Sequence, residues 1–339
     1  MALKVGGITA INANVTGFFS NTTFTGGSYL VMTVDPSTEF VFPGNISGYN
    51  STGADSTGRI TTIQRFSFAS DGNGTSVGDV TAGKIVPASH SSDTHGYNSG
   101  GSLPPFSNDI DKFPFAVDTN ATDVASLGTA VQGAAGTSSK LVGKGYASGG
   151  YHPVGFRGFI QEFQFSNEAV NVALRDLVTA HEIASGHSSN EKGYAAGGRN
   201  PSQINVIQSF PFANITTGGD VGDLINSPRA QAGISSDSYG YDAGGSGAAP
   251  TRVDVIQKFP FASDANATDV GDLTLIVAGN MGSSATTHGY SSGGYSPSPL
   301  GPATGHRDTI EKFPFASDAN ATDVGNLPSG KEGGAGQQR

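Results

Sequence analysis

Short apolar phrases separated by glycine-rich turns recur along the chain, and their alternation has the two-residue period of β-strands. One phrase, Ile-x-x-Phe-x-Phe, starts at six isoleucines: Ile63, Ile110, Ile160, Ile207, Ile256 and Ile310. In a strand, this spacing puts both phenylalanines on one face and the isoleucine on the other. We therefore expect each of these strands to be covered on both faces.

A second phrase, Gly-Tyr-x-x-Gly-Gly, alternates with the first. It starts at residues 96, 145, 193, 240 and 289, with a degenerate copy, GYNSTG, at 48–53. Successive starts lie 48, 49, 48, 47 and 49 residues apart. The glycines disfavour a helix, and the small residues before each copy are typical of a thin strand. A third phrase, DVGDL or a close variant, ends the clearest units at 220–224, 269–273 and 323–327 and predicts a fourth strand.

Six repeats of about 49 residues, each with four short strands, are typical of a six-bladed β-propeller. The predicted fold is therefore all-β, with a six-bladed propeller over residues 48–327. Residues 1–47 contain neither full phrase. We expect 39–47 to supply the first strand of blade 1 and the remainder to form a short β-rich N-terminal arm, or else a degenerate seventh blade. Residues 328–339 are expected to form a flexible tail.

Composition excludes several classes of function. The 339 residues include 50 Gly, 17 Pro, no Cys and no Trp, and the net charge is −10. A negative chain is a poor partner for a phosphate backbone, so we expect no nucleic acid. Without Cys there are no disulfides, thiolate metal sites or cysteine nucleophiles. The apolar runs are far shorter than the ~20 residues of a membrane span, and the N-terminus lacks a signal-peptide pattern, so we expect no membrane insertion.

The motifs of common catalytic and cofactor sites are not evident. The glycine-rich phrases do not match phosphate-binding loops, and there is no His-Glu-x-x-His sequence. Acidic residues are spread through equivalent turns instead of forming one unusual pair, as a glycosidase would require. We predict no enzyme activity, no catalytic residues and no cofactor. His90, His95 and His288 are interpreted as strand-surface residues.

Asp-x-Asn-x-Thr sequences recur in the turn before the fourth strand, starting at Asp71, Asp118, Asp264 and Asp318. They resemble the beginning of a calcium-binding loop but lack its glycine and its final glutamate. A turn capped by its own side chains explains the same residues without a metal ion, and we favour that interpretation, so we predict no metal site. The Asn-x-Ser/Thr sites in the same region are interpreted as turn residues and not as glycosylation sites: Asn73, Asn120, Asn214, Asn266 and Asn320.

Loop length predicts a binding surface. Between the Gly-Gly doublet and the next isoleucine, the six units have 9, 8, 9, 8, 10 and 15 residues. Variable insertions in repeat proteins gather on one face, which commonly binds the partner. The alternative is that they are tolerated surface insertions. The predicted binding residues come from the third and sixth loops: Tyr151, His152, Arg157, Tyr295, His306 and Arg307.

The order of a small-residue strand, an aromatic strand ending in Gly-Gly, a variable loop, an Ile-x-x-Phe strand and a Leu-terminated strand resembles the kelch repeat. The best-matching unit contains Pro228, Arg229, Tyr241, Gly244, Gly245, Ile256 and Phe259. The tryptophan usual in the fourth kelch strand is missing from every unit. The resemblance implies a kelch-like propeller and says little about activity.

The phrase KFPFASDANATDVGDL, nearly verbatim at 258–273 and 312–327, is similar to repeats in virion-associated and tail-fibre proteins of aquatic bacteriophages. The opening MALKVGGITAI resembles the start of cyanophage structural proteins. The resemblance implies a structural protein of the virion, such as a tail fibre, an appendage or a capsid decoration. Its expected partners are other virion proteins or copies of itself, and a host surface glycan.

Two alternatives remain open. The first is a self-assembling extracellular fibre or adhesin subunit of an environmental microbe, in which the N-terminal arm pairs with the sheet of the next subunit. The second is a carbohydrate-active enzyme whose site has no recognised motif.

Overall fold

The computed structural model describes residues 4–5, 8–9, 43–171, 175–215, 217–226, 228–247, 252–296 and 305–339. The chain divides into two compact units, Met1–Thr38 and Glu39–Arg339. In the first unit, strand Lys4–Val5 pairs antiparallel with strand Ile8–Thr9. Most of the predicted N-terminal arm lies outside the described residues, so the choice between an arm and a seventh blade stays open.

The second unit contains six antiparallel sheets, each of which forms one blade. Blades are numbered along the chain, and their strands are given from the innermost outward. Blade 1 comprises Ala335–Gln338, Ser47–Ser51, Thr62–Ser67 and Thr75–Asp79; blade 2 comprises Ala88–Ser91, His95–Ser99, Asp109–Pro114 and Thr122–Ser126. Blade 3 comprises Ala135–Ser139, Lys144–Ser148 and Gly155–Gln164, whose outer edge pairs with both Val170–Asn171 and Asp176–His181.

The other three blades are regular. Blade 4 comprises Ser185–Ser188, Lys192–Ala196, Val206–Pro211 and Gly219–Asp223; blade 5 comprises Ala232–Ser235, Tyr239–Ala243, Val255–Pro260 and Thr268–Asp272; blade 6 comprises Met281–Ser284, His288–Ser292, Thr309–Pro314 and Thr322–Asn326. The described residues contain no helix, and hence none that is long and apolar enough to cross a membrane. The predicted all-β, six-bladed propeller is confirmed.

Ring closure differs from the prediction. The first strand of blade 1 is Ala335–Gln338, which pairs with Ser47–Ser51. The expectation of a flexible tail at 328–339 is therefore wrong, as is the assignment of 39–47 to the first strand. Gln337 is fully buried. The physical reason is that pairing the two ends of the chain in one sheet removes the exposed edges that an open ring would leave.

Each interface between blades is built on the tyrosine of the Gly-Tyr phrase, which packs against both phenylalanines of the next blade. Between blades 1 and 2, the ring of Tyr49 lies 5.8 Å from that of Phe113 and 4.7 Å from that of Phe115. The Tyr49 hydroxyl also donates a hydrogen bond to the Phe115 carbonyl at 3.3 Å. Such ring pairs each contribute about 0.5–1.5 kcal/mol beyond the burial of area. The same packing recurs at the other five interfaces through Tyr97, Tyr146, Tyr194, Tyr241 and Tyr290.

The glycine before each tyrosine leaves room for the first phenylalanine of its own blade. A Cβ added at Gly96 would lie 2.4 Å from the Cζ atom of Phe113. The first glycine of the Gly-Gly doublet leaves room for the backbone of the next blade instead. Gly100 has a φ of 65°, and a Cβ there would lie 2.6 Å from the carbonyl oxygen of Val131 in blade 3. Both glycine positions are therefore fixed by packing as well as by turn geometry.

Blade 1 replaces the first glycine of the doublet with Thr52, which keeps a φ of 57°. Its hydroxyl donates to the Lys84 carbonyl at 2.7 Å and accepts the Lys84 amide at 2.8 Å. The degenerate GYNSTG copy thus keeps its contact with blade 2 through a side chain.

We predict that Gly100→Ala destabilises the protein more than Gly143→Ala. Gly143 has a similar φ of 68°, but a Cβ there meets nothing within 4 Å. Gly143→Ala should therefore cost only about 1 kcal/mol of left-handed strain. Gly100→Ala adds a clash with Val131 and should cost roughly 3 kcal/mol or more. Urea unfolding of both variants measures the difference, and equal losses would contradict the packing argument.

Deletion of residues 335–339 should open the ring. The second strand of blade 1 would lose its inner partner, and we expect a loss of at least roughly 3 kcal/mol in unfolding free energy with faster tryptic cleavage. Addition of a synthetic peptide spanning 331–339 should restore part of the stability. A truncated protein as stable as the full chain would show that this strand does not close the ring.

Candidate binding face

One end of the propeller, which we call the hairpin face, carries the variable loops. There the turn between the second and third strands of each blade meets the linker that enters the first strand of the same blade. In blade 3, for example, Tyr151 and Gln132 exchange two backbone hydrogen bonds of 2.8 and 3.1 Å. A backbone bridge joins the described part of the hairpin to the linker in each of the six blades, so the hairpins share one face. The predicted binding residues lie in or beside two of these hairpins, those of blades 3 and 6.

Around the axis on this face, six linker residues form a closed ring of backbone hydrogen bonds, which we call the linker ring. Each amide donates to the carbonyl of the equivalent residue in the preceding blade, at 2.6 to 3.1 Å. All six have left-handed φ values between 47° and 72°. Val86 and Ile183 are β-branched, for which this conformation costs about 1–2 kcal/mol each. The members are Val86, Gly133, Ile183, Ala230, Gly279 and Gly333.

Beneath the linker ring lies an axial cavity of about 110 Å³ that all six blades line. The strands approach closely there: a Cβ on Gly336 would lie 1.9 Å from the Gly282 carbonyl oxygen, and one on Gly186 would lie 2.0 Å from that of Gly136. The space at the axis is therefore narrowed by close approach of the backbones, and the polar side chains that line the cavity are Ser89, Ser185, Gln231 and Asn280.

The structure divides the predicted binding residues into two groups, one on blade 3 and one on blade 6, with two blades between them on either side. Within blade 3, Tyr151 pairs across the hairpin with Phe156, with ring centroids 5.1 Å apart. Within blade 6, Tyr295 pairs in the equivalent way with His306, at 5.4 Å. Among the described residues, no contact joins the two groups.

Both tyrosines also contact the preceding blade. The ring of Phe106 from blade 2 lies 6.1 Å from that of Tyr151. The guanidinium of Arg252 from blade 5 lies 4.8 Å from the Tyr295 ring centroid, and its Nη1 donates to the Tyr295 carbonyl at 2.9 Å. These tyrosines therefore stabilise contacts between blades. Phe106 and Arg252 were missed from sequence, although each occupies the hairpin position equivalent to His306.

The two histidines have polar neighbours. His152 Nδ1 accepts the Val154 amide at 3.4 Å and lies 3.3 Å from Nη2 of Arg157. His306 Nε2 lies 3.6 Å from Oε1 of Glu332, a residue next to the linker ring that the sequence did not single out. Both histidines remain partly exposed on the hairpin face.

Arg157 and Arg307 occupy the same position of the repeat. The amide of each donates to the second glycine of its own doublet, Gly150 or Gly294. Among the described residues, the Nε atom of Arg157 has no hydrogen-bond partner, and neither have Nε and Nη2 of Arg307. The other four blades place uncharged residues at this position: Ile60, Ser107, Ile204 and Val253.

The Asp-x-Asn-x-Thr turns lie at the outer edge of the ring and join neighbouring blades. The Asn120 side-chain oxygen accepts the Asp79 amide of blade 1 at 3.0 Å, and the Asp118 carboxylate lies 2.5 Å from Arg65 of blade 1. Asn73, Asn266 and Asn320 make the equivalent amide contacts. Among the described residues, no group of three or more acidic or histidine side chains is placed to hold a metal ion. These contacts favour the interpretation as structural turns.

A buried cluster of Ser185, His187 and Asp242 has the residue types of a hydrolytic triad but not its geometry. Ser185 Oγ lies 2.9 Å and Asp242 Oδ1 3.2 Å from the same nitrogen, Nε2 of His187. The other ring nitrogen lies 3.0 Å from the Ile234 carbonyl. A triad places serine and carboxylate on opposite nitrogens, and here His187 and Asp242 are fully buried. This cluster joins blades 4 and 5.

The sequence Gly-Thr-Ser-Val-Gly at 74–78 has the spacing of a serine nucleophile elbow. It lies in the outer strand Thr75–Asp79 of blade 1, where Ser76 is exposed. An elbow requires a sharp turn from a strand into a helix. This sequence is therefore part of a β-strand and its entrance, and not a nucleophile elbow.

Several ionisable groups are fully buried between blades. Burial lowers the pKa of His90 and of His181 to about 4, so both are neutral at pH 7. His90 is 2% exposed, because it lies between the Thr137 carbonyl and the Ser99 hydroxyl; its assignment to the strand surface was wrong. The Lys84 ammonium is paired with the Asp111 carboxylate at 2.9 Å.

In the part of the chain that the structure describes, Lys331 has no carboxylate partner. Its ammonium donates to the carbonyls of Asn50 and Thr62 at 3.0 and 3.2 Å, and burial lowers its pKa to about 7. Because the unfolded chain holds this proton up to a pKa near 10.5, native stability rises with pH between about 7 and 10.5.

The fold and this face define the class of protein: a six-bladed β-propeller with variable hairpins on one face. No family model and no curated protein matches the chain. Among solved structures, that of YjhT matches with a TM-score of 0.63 over 76% of this chain and 88% of that one, at 12% sequence identity. At this identity the likeness shows the fold alone.

Lys331→Met should flatten the pH dependence of stability. Between pH 7 and 9, we expect the unfolding free energy of the wild type to rise by on the order of 2 kcal/mol more than that of the variant. Urea titrations of both proteins at the two pH values measure this difference. Parallel pH profiles would show that the amine is not desolvated in the native state.

Proposed function

We propose that this protein is a non-enzymatic structural and binding component of a phage particle, such as a tail fibre, an appendage or a capsid decoration. Its hairpin face binds a glycan on the host surface. The amino-acid sequence of the repeats resembles kelch units and also repeats in virion-associated proteins of aquatic phages. The second resemblance supports the assignment to a phage particle.

The observation that carries the binding role is the departure of blades 3 and 6 from the repeat. Four blades fill one hairpin position with Ile, Ser, Ile and Val, whereas Arg157 and Arg307 fill it in these two. Since four blades fold with an uncharged residue at this position, the fold does not require an arginine there. The arginine charge is therefore an indication of ligand binding. Phe106, Phe156 and the tyrosines beside them supply partly exposed ring faces of the kind that stack on sugars.

A non-catalytic role agrees with the state of the buried polar groups. The serine, histidine and carboxylate that come together between blades 4 and 5 are enclosed and share one imidazole nitrogen. A nucleophile and its base need opposite nitrogens and access to substrate.

The alternative is a self-assembling extracellular fibre or adhesin subunit. Its support is that Met1–Thr38 forms a compact unit of its own. In this proposal the N-terminal residues add a strand to the sheet of the next subunit. Long polymers in negative-stain images of the purified protein would favour this alternative.

A glycan array with the purified protein tests the binding role. We expect selective binding that falls at least ~10-fold in Tyr151→Ala and Arg157→Gln, because ring stacking and charged hydrogen bonds each contribute to affinity. Val117→Ser is the control, since Val117 is 59% exposed in a turn at the opposite end of the blades. If no hairpin-face variant changed the binding, the proposed binding face would be contradicted.

Detection of the protein in purified phage particles tests its location. Hydrolysis of a polysaccharide by the purified protein would contradict the non-enzymatic role.

A further inference from the structure

The turn between the third and fourth strands of blade 1, residues 68–74, contains the one Asn-Gly sequence of the chain, Asn73–Gly74. Glycine has no side chain to shield its backbone nitrogen, and it reaches conformations that are closed to other residues. Its nitrogen therefore attacks the side-chain carbonyl of a preceding asparagine more readily than the nitrogen of a larger residue does. Asn73 is exposed, so water has access to this pair.

The equivalent turns of three other blades place alanine after the asparagine, and these alanines are buried: Ala121, Ala267 and Ala321. A Cβ on Gly74 would lie 3.0 Å from the Arg65 carbonyl oxygen and 3.4 Å from Cδ of Pro328. A small local shift accommodates such contacts. The repeat therefore accepts alanine at this position, and the reactive pair in blade 1 is a departure from it.

One residue of blade 6 holds both reacting groups of this pair. The Asn326 amide donates to the Asn73 side-chain oxygen at 3.0 Å, and the Asn326 carbonyl accepts the Gly74 amide at 2.8 Å. Attack requires that the Gly74 nitrogen lose its proton and that the Asn73 carboxamide turn toward it. Both hydrogen bonds oppose these changes, so the reaction requires the outer contact between blades 6 and 1 to open.

Blades 6 and 1 form the junction at which the ring closes. The outer three strands of blade 1 are joined to Ala335–Gln338 by pairing with Ser47–Ser51, and no chain segment links them directly to blade 6. At the other five junctions, continuous chain connects the strands on both sides. Lys312 of blade 6 adds an ion pair across the closing junction, with Nζ 2.6 and 2.8 Å from the Asp71 carboxylate oxygens. We expect local opening to occur most readily here.

We propose that Asn73 is a site of deamidation and that closure of the ring between blades 6 and 1 controls its rate. The inference is independent of the proposed glycan-binding function. The Gly74 nitrogen loses its proton to water and forms a bond to Cγ of Asn73, and the side-chain nitrogen leaves as ammonia. Water then opens the resulting cyclic imide to aspartate or isoaspartate. Each conversion consumes one water molecule and releases one ammonia molecule.

The products change the closing junction. Either product places a second carboxylate in the turn that already contains Asp71. Isoaspartate also routes the main chain through the former side chain, so the oxygen that accepts the Asn326 amide is displaced. Deamidation at Asn73 therefore weakens the contact that restrains it.

Peptide mass spectrometry after incubation at mildly alkaline pH measures the conversion of Asn73. A synthetic peptide spanning 69–77 gives the rate without the fold. We expect the folded protein to convert at least ~10-fold more slowly, because each step of about 1.4 kcal/mol in opening free energy lowers the open population tenfold. Deletion of residues 335–339 should accelerate conversion in the protein at least ~10-fold, toward the rate of the peptide.

Ala121→Gly provides a matched control, because it creates an Asn-Gly pair in blade 2. The pair is held in the same way: the Asp79 amide donates to Asn120 at 3.0 Å, and the Ala121 amide donates to the Asp79 carbonyl at 2.8 Å. In this background, the deletion should accelerate conversion at Asn73 at least ~10-fold more than at Asn120, because the junction of blades 1 and 2 stays closed. Gly74→Ala should slow conversion at Asn73 to that of Asn120 in the wild type.

Lys312→Met keeps the test decisive if the deletion variant does not fold. It releases Asp71 without changing the Asn-Gly pair, so it should raise the rate at Asn73 by about 2-fold and leave Asn120 of Ala121→Gly unchanged. Equal rates in the folded protein and the peptide would overturn the proposed control by closure. Equal acceleration of Asn73 and Asn120 would also overturn it, because global unfolding would then explain the effect.

Discussion

The propeller depends on one contact, the insertion of a tyrosine of each blade against two phenylalanines of the next. The ring of Tyr97 lies 5.4 Å from that of Phe163 and 5.0 Å from that of Phe165, and this arrangement recurs around the circle. Its requirements explain the glycines, since Gly145 leaves space for the Phe163 ring. No blade buries its own aromatic residues alone, so the blades are stable only as a closed ring.

Because this contact is satisfied inside the ring, the hairpins on one face are free to differ. Some of their side chains nevertheless join neighbouring blades, as Arg252 does with Tyr295 and Arg59 with the Ser102 carbonyl. Arg157 and Arg307 differ from these. The fold uses their backbone amides in the same way as in every other blade, and among the described residues some donor atoms of their side chains have no partner.

Repeated phrases predict the blade number well, because each marks an interface that must recur. The closing strand, Ala335–Gln338, was not predicted because the innermost strands contain small residues and lack a clear hydrophobic pattern. A segment rich in Gly and Gln therefore resembles a flexible tail. A signal was present: Gly336 follows Leu327 by nine residues, as Gly282 follows Leu273. Arg157 and Arg307 could be chosen from sequence as loop cations. The contact of Phe106 with Tyr151 could not, because it joins residues of different blades.

The linker ring has a consequence for how such a protein can change its size. Six hydrogen bonds of 2.6 to 3.1 Å, all running in one sense, fix the circumference of the innermost circle. An additional repeat would have to break this circle and redistribute the tilt of every blade, because no single gap can widen without losing its bond. Gain or loss of whole repeats is therefore disfavoured, and sequence changes are tolerated more readily in the hairpins.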